Sequence, residues 1–149
     1  FTKDLETKGI HVNKSITMAT PFNTILWRHL AQTNEGLKVA YYSLLAPREI
    51  EYEDIAQNKE LIEPYKNGAS VRAIERFSKG FWVAKKDGET IRLSDVRFGE
   101  IRDSNTPEDW SYLFSWIITN DDKMQMAPRP ERNINESLSL LFKRALGYK

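Results

Sequence analysis

The stretch FWVAKKDGETIRLSDVRF, residues 81–98, constrains the fold more than any other. Apolar and polar residues alternate on both sides of Asp87-Gly88, a two-residue turn signal, which predicts an antiparallel β-hairpin. With Asp87 and Gly88 at the tip, Lys86 pairs with Glu89, Ala84 with Ile91 and Trp82 with Leu93. One face then carries Trp82, Ala84, Ile91 and Leu93; the other carries Phe81, Val83, Arg92 and Ser94 and continues through Val96 and Phe98. The alternation breaks at its end: Asp95 and Arg97 fall where the Trp82/Leu93 face calls for core residues, about 7 Å apart along the strand. A bulge near Ser94 turns them outward, or Arg97 holds a half-buried Asp95 and neighbouring carbonyls, or the strand end aims both into a functional pocket. An Asp held by an Arg is a poor general base, so the pair alone does not make a catalytic centre.

The rest of the chain supplies elements for one antiparallel architecture. FTKDLETKGI looks like the tail of a helix already under way, with Gly9 as its stop. NKSITMATP is extended. TILWRHLAQ and LKVAYYSLL form a second hairpin around Asn34-Glu35-Gly36, with Ile25, Trp27, His29 and Ala31 on one face and Leu26, Arg28 and Leu30 on the other. Residues 51–66 suggest a short helix or an irregular segment. SVRAIERFSKG is a compact helix, capped by Ser70, lined by Val71, Ile74 and Phe77, and stopped at Gly80. WSYLFSWIIT is a further strand whose large face, Trp110, Tyr112, Phe114, Trp116 and Ile118, needs a cover, most simply a helix. A polar loop over residues 120–134 contains PRP. Asn135 then caps a last helix striped by Leu138, Leu141, Phe142 and Ala145 and ended by Gly147. The expected class is α+β: an antiparallel sheet of about five strands, two hairpins plus a further strand, with two or three helices packed on it.

Composition narrows the chemistry. The chain has 149 residues, 40% hydrophobic and 29% charged, as in an ordinary soluble domain, and residues 1–149 are expected to share a single core. Its 22 basic and 21 acidic residues nearly balance, so no nucleic-acid partner is expected. With no cysteine, disulfides, thiol nucleophiles and thiolate metal sites are excluded within it. His11 and His29 are the only histidines and no metal-ligand spacing joins them. There is no Gly-x-Ser-x-Gly elbow, no phosphate loop and no apolar run of about 18 residues. KGFWVAKK mixes basic and aromatic residues as a base-stacking surface does, but the expected reading is a hairpin with a solvated lysine pair at its tip. APRP fits a stiff loop or a lone Pro-recognition motif. No catalytic residue and no metal ligand is assigned.

Three motifs, in order, carry a resemblance: TPFNTILWR (20–28) before a hairpin ending in YYSLL (41–45), RFSKGFW (76–82), and DVRFGE (95–100) closing the second hairpin. Together with LETKGI and LFKRALG near the ends, they resemble the C-terminal soluble region of the YdjM-like, LexA-regulated family of bacterial inner-membrane proteins, classed as metal-dependent hydrolases. The resemblance implies a soluble accessory domain without its own catalytic centre. It implies an inner-membrane parent whose N-terminal membrane region would be its partner and would hold any divalent metal. It marks Pro21, Asn23, Trp27, Arg28, Gly80, Asp95, Arg97, Phe98 and Gly99. In this light Pro21 and Asn23 shape the turn into the strand and Trp27 anchors the sheet. Arg28, Asp95 and Arg97 form a candidate charged cluster at one sheet end. If that cluster is functional, Asp95→Ala should harm the parent's activity more than this domain's stability; a melting temperature lowered by many degrees marks it as structural. The other reading is an interaction module that docks a protein or a small ligand.

Overall fold

The computed structural model describes residues 1–20, 24–102, 110–119, 121–128 and 134–147. The chain is α+β, with two four-stranded antiparallel sheets and three α-helices among the described residues in place of one sheet of about five strands. By their internal contacts the residues form two compact units, Phe1–Ala56 with Asn133–Lys149, and Gln57–Arg132. No helix among the described residues is long and apolar enough to cross a membrane.

The first unit is built on strands β1 (Lys14–Ala19), β2 (Leu26–Gln32), β3 (Leu37–Ser43) and β4 (Tyr52–Ile55), in that order across the sheet. The β2–β3 hairpin pairs Gln32 with Leu37, so four residues, 33–36, make its loop. Alternation puts Leu26, Arg28 and Leu30 on one face of β2, and His29 and Ala31 on the other; all five are buried. A strand buried on both faces needs a cover on each. Helix α1 (Thr2–Thr7) lies on the His29 side: Leu5 is fully buried, and the Phe1 ring just before the helix stacks on the His29 ring at 4.7 Å. Helix α3 (Ile134–Ala145) covers the other side, where the Ser43 hydroxyl donates to the Ala145 carbonyl. The expected N-terminal helix thus packs on the sheet through Leu5, beside the Phe1 ring. Two details of α3 differ from expectation. Asn135 lies inside the helix rather than at its cap, and Phe142 is 62% exposed, off the stripe that buries Ala145. Residues 51–66, expected as one short helix or irregular, divide into β4 and two single 3₁₀ turns, Lys59–Leu61 and Glu63–Tyr65.

The second unit carries β5 (Trp82–Asp87), β6 (Thr90–Arg102), β7 (Trp110–Ile118) and β8 (Met124–Met126), in that order. β8 is a strand inside what the sequence presents as a polar loop; Arg129 and Pro130 of the PRP motif lie outside the described residues, as do Pro21 and Asn23. Helix α2 (Ala69–Ser78) packs Val71 and Ile74, with Ile62, against Trp82, Ala84, Leu93, Trp116 and Ile118. This is the expected helical cover over the large-residue face of β7. The faces of the β5–β6 hairpin are those expected, but its register is not. Asp87 pairs with Thr90, Ala84 with Leu93 and Trp82 with Asp95, so Gly88 and Glu89 form the turn. Gly88, at φ +61°, takes the first central position, where positive φ is required and a side chain is costly. The lysine pair at the tip, Lys85 and Lys86, is exposed.

Ser70 does not cap α2. It lies within the helix, and its hydroxyl donates to the Asp122 carbonyl at 2.6 Å. The cap comes from Asp122 itself, far along the chain: its Oδ2 accepts the Ala69 amide at 2.9 Å. A carboxylate there satisfies a free amide and complements the positive helix end. Gly68 is the residue that admits it, because a Cβ at 68 would lie 2.5 Å from Asp122 Oδ1. Asp122→Ala removes the acceptor and leaves alanine at φ +58°. The expected loss is about 1–2 kcal/mol in urea unfolding, and Asp122→Asn, which keeps an acceptor and tolerates that φ, should lose less than half as much.

Candidate functional site

Asp95 sits in the ladder between Trp82 and Phe114, on the core face, with no exposed surface. The irregularity comes after it. β6 and β7 pair at Asp95 with Phe114 and resume at Glu100 with Tyr112, so residues 96–99 face Leu113 alone. Gly99, at φ +86°, lets the bulged segment turn back into the ladder. Because the bulge follows Asp95 rather than preceding it, Asp95 stays inward. Val96 stays buried too, its amide bonded to the Phe81 carbonyl at 3.0 Å, while Phe98, expected to continue that buried face, is 46% exposed.

Arg97 closes over the carboxylate. Its Nε donates to both Asp95 oxygens at 3.1 Å, its Nη2 donates to Oδ2 at 2.7 Å, and its backbone amide donates to Oδ1 at 2.9 Å. Nη2 also reaches the Phe77 carbonyl at 2.7 Å. That carbonyl is among the last four of α2, which have no partner within the helix. A cation there complements the negative helix end. The buried pair therefore fastens the bulge to the C-terminal turn of α2, and both carboxylate oxygens already hold strong donors. This is the second of the three structures that the sequence leaves open, with Asp95 fully rather than half buried.

The guanidinium lies between two phenylalanines. Its carbon is 5.4 Å from the Phe77 ring centre and 5.1 Å from that of Phe98. Phe77 is 47% exposed, although its helix position predicts a core contact. Phe114 meets both rings edge-on, and Phe77 also meets Trp116 at 5.3 Å. The result is an aromatic shelf whose charge is neutralised from below by Asp95. Gly80, which follows the left-handed Lys79 at the end of α2, has φ +79°, and its carbonyl accepts from Gln57 Nε2 at 3.0 Å.

Arg28 belongs to the first unit. It is 3% exposed, its Nε donates to the Tyr41 hydroxyl at 3.0 Å, and the Arg144 guanidinium lies over the same ring at 4.5 Å. A cleft of about 180 Å³ opens beside Tyr41, lined among others by Arg48, Glu51, Glu53 and Arg144. Two carboxylates against two guanidiniums give it no single sign of charge. Tyr52 also lines it, and burial, with Asp4 nearby, pushes its hydroxyl pKa up, which leaves a neutral phenol rather than a nucleophile. Trp27 donates its indole N–H to the Thr24 carbonyl at 3.0 Å, at the start of β2. Of the three members of the expected cluster, Arg28 belongs to the first unit, where it bonds Tyr41, and Asp95 and Arg97 belong to the second, where they bond each other.

Among the described residues no group of three or more His, Asp or Glu side chains is placed to hold a metal ion. His29 is buried, with Nδ1 2.7 Å from the Thr17 hydroxyl, and His11 is exposed. Phe77 is the contributor that sequence reasoning misses, because it sits on a helix face that reads as core. Searches against protein-family profiles, curated proteins and solved structures return no match for the chain.

Proposed function

We propose that this chain is an accessory docking module that works as part of a larger protein and has no catalytic centre of its own. The observation that carries this reading is the Phe77–Arg97–Phe98 shelf. Its one acid, Asp95, is saturated by donors and fully buried, so it has neither a free lone pair nor solvent access for proton transfer. Its two phenylalanines are about half exposed beside a hydrogen-bonded ion pair. Phenylalanine and arginine are among the residue types enriched at protein interfaces. Since Asp95 neutralises the arginine, the surface suits an apolar segment rather than an anion. On the resemblance of the three motifs, that segment lies in the N-terminal membrane region of a membrane-bound, metal-dependent hydrolase.

Photo-crosslinking tests this. With benzoyl-phenylalanine at position 98, capture should map to one apolar segment of the parent protein, and the same group at Lys86 on the hairpin tip should not capture it. Equal capture at both positions, or none at 98, removes the shelf as a docking surface. Stoichiometric zinc or manganese binding by the isolated chain in equilibrium dialysis would overturn the non-catalytic reading.

A further inference from the structure

We propose that two copies of this chain associate edge to edge through β8, antiparallel about Gln125. The sheet order leaves β8 at one edge and β5 at the other. The β5 edge is covered at its centre: the Ala84 amide donates to the Gln57 carbonyl at 3.0 Å, and Asn58 Nδ2 donates to the Ala84 carbonyl at 2.8 Å. The β8 edge is not closed by any described residue. Toward β7, the Thr119 amide donates to the Lys123 carbonyl at 3.0 Å and the Ala127 amide to the Ser115 carbonyl at 2.8 Å, with Gln125 opposite Ile117 between them. Antiparallel alternation then turns the backbone groups of Lys123, Gln125 and Ala127 inward and those of Met124 and Met126 outward. An edge with outward donors and acceptors is a template for another strand.

The side chains say which strand. Met126 lies opposite Trp116 and Met124 opposite Ile118, so both methionines stand on the core face. Trp116 and Ile118 are 9% and 2% exposed, but Met126 and Met124 are 55% and 43% exposed, so the apolar face runs on past the sheet edge into solvent. Met-Gln-Met is palindromic. A second β8 laid antiparallel about Gln125 sets Met124 opposite Met126 of the other copy, and the reverse. Both are outward-facing residues, so each such pair exchanges two backbone hydrogen bonds. The four methionines meet on the core face, and the two Gln125 side chains meet on the opposite face in a close, non-hydrogen-bonded pair where their amides can bond. Lys123 falls opposite Ala127 of the other copy, so no like charges are opposed. Three residues a side make a small interface, and association is correspondingly weak.

Sedimentation from about 10 μM to about 1 mM tests it. The chain should pass from monomer to dimer, and amide exchange at Met124 should slow as it does. Met126→Pro removes an outward N–H and places a ring in the path of the second strand, yet leaves the β7–β8 bonds intact. It should weaken association at least about tenfold with circular dichroism unchanged. Met124→Lys with Met126→Lys, which leaves the backbone alone and opposes like charges, should do the same. A wild-type chain that stays monomeric across the range, or a folded variant of either kind that dimerises as well as wild type, overturns the proposal.

Discussion

Asp95→Ala should destabilise the second unit by about 3–5 kcal/mol, as much as truncating one of its large core aromatics. The substitution removes four hydrogen bonds to the carboxylate and leaves the Arg97 guanidinium in a site where the side chain is only 11% exposed. An uncompensated buried cation costs far more than the intact pair contributes, because desolvation is no longer offset by attraction. The damage spreads, since the same guanidinium holds the Phe77 carbonyl at the end of α2. Against a total stability of about 5–15 kcal/mol, such a loss lowers the melting temperature by more than about 10 °C. Removing the cation as well, in Asp95→Ala with Arg97→Met, should recover much of the stability, because an apolar pair of similar volume leaves no charge behind. If Asp95→Ala costs less than about 1 kcal/mol, or the double variant is no better than the single, the pair does not fasten the bulge to α2.

The break in alternation at Asp95 and Arg97 is legible from sequence, because period-two patterning makes any charge on the apolar side conspicuous. What holds the pair is not legible. The Phe77 carbonyl comes from a helix 20 residues away, and its contribution depends on where that helix ends relative to a bulge. The Asp122 cap is hidden for the same reason, since α2 offers Ser70 as a local candidate and nothing in the sequence ranks a loop residue above it. The β5–β6 faces follow from alternation alone, whereas the register depends on which turn position the single glycine takes. Gly88 fits the first as well as the second, and one step re-pairs every residue. β8 escapes because three residues are too few to show a period. Arg28 looks like a site residue until α1 and α3 are placed on the two faces of its sheet. A strand covered twice must bury whatever its alternation puts inside, and the Tyr41 hydroxyl accepts a hydrogen bond from the buried guanidinium.

His29 should make the first unit acid-sensitive at a pH well above the range where carboxylates titrate. Its imidazole is 1% exposed, lies against the Phe1 ring and has Nδ1 at 2.7 Å from Thr17, while Nε2 is buried and has no hydrogen-bond partner among the described residues. Burial lowers its pKa from 6.5 to about 4. In the unfolded chain the ring takes up its proton near 6.5, and in the folded chain only near 4. Between these values the unfolded state binds more protons, so stability is complete above 6.5 and declines as the pH falls, levelling off below about 4. The full span corresponds to about 3 kcal/mol, of which about 2 kcal/mol is lost by about pH 5. His29→Phe keeps the ring contact with Phe1 and cannot be protonated. Urea unfolding of both proteins at about pH 8 and about pH 5 separates this loss from any background acid effect. The wild type should lose about 2 kcal/mol more than the variant over that interval, and an equal loss in both would show that the buried ring is not what acid attacks.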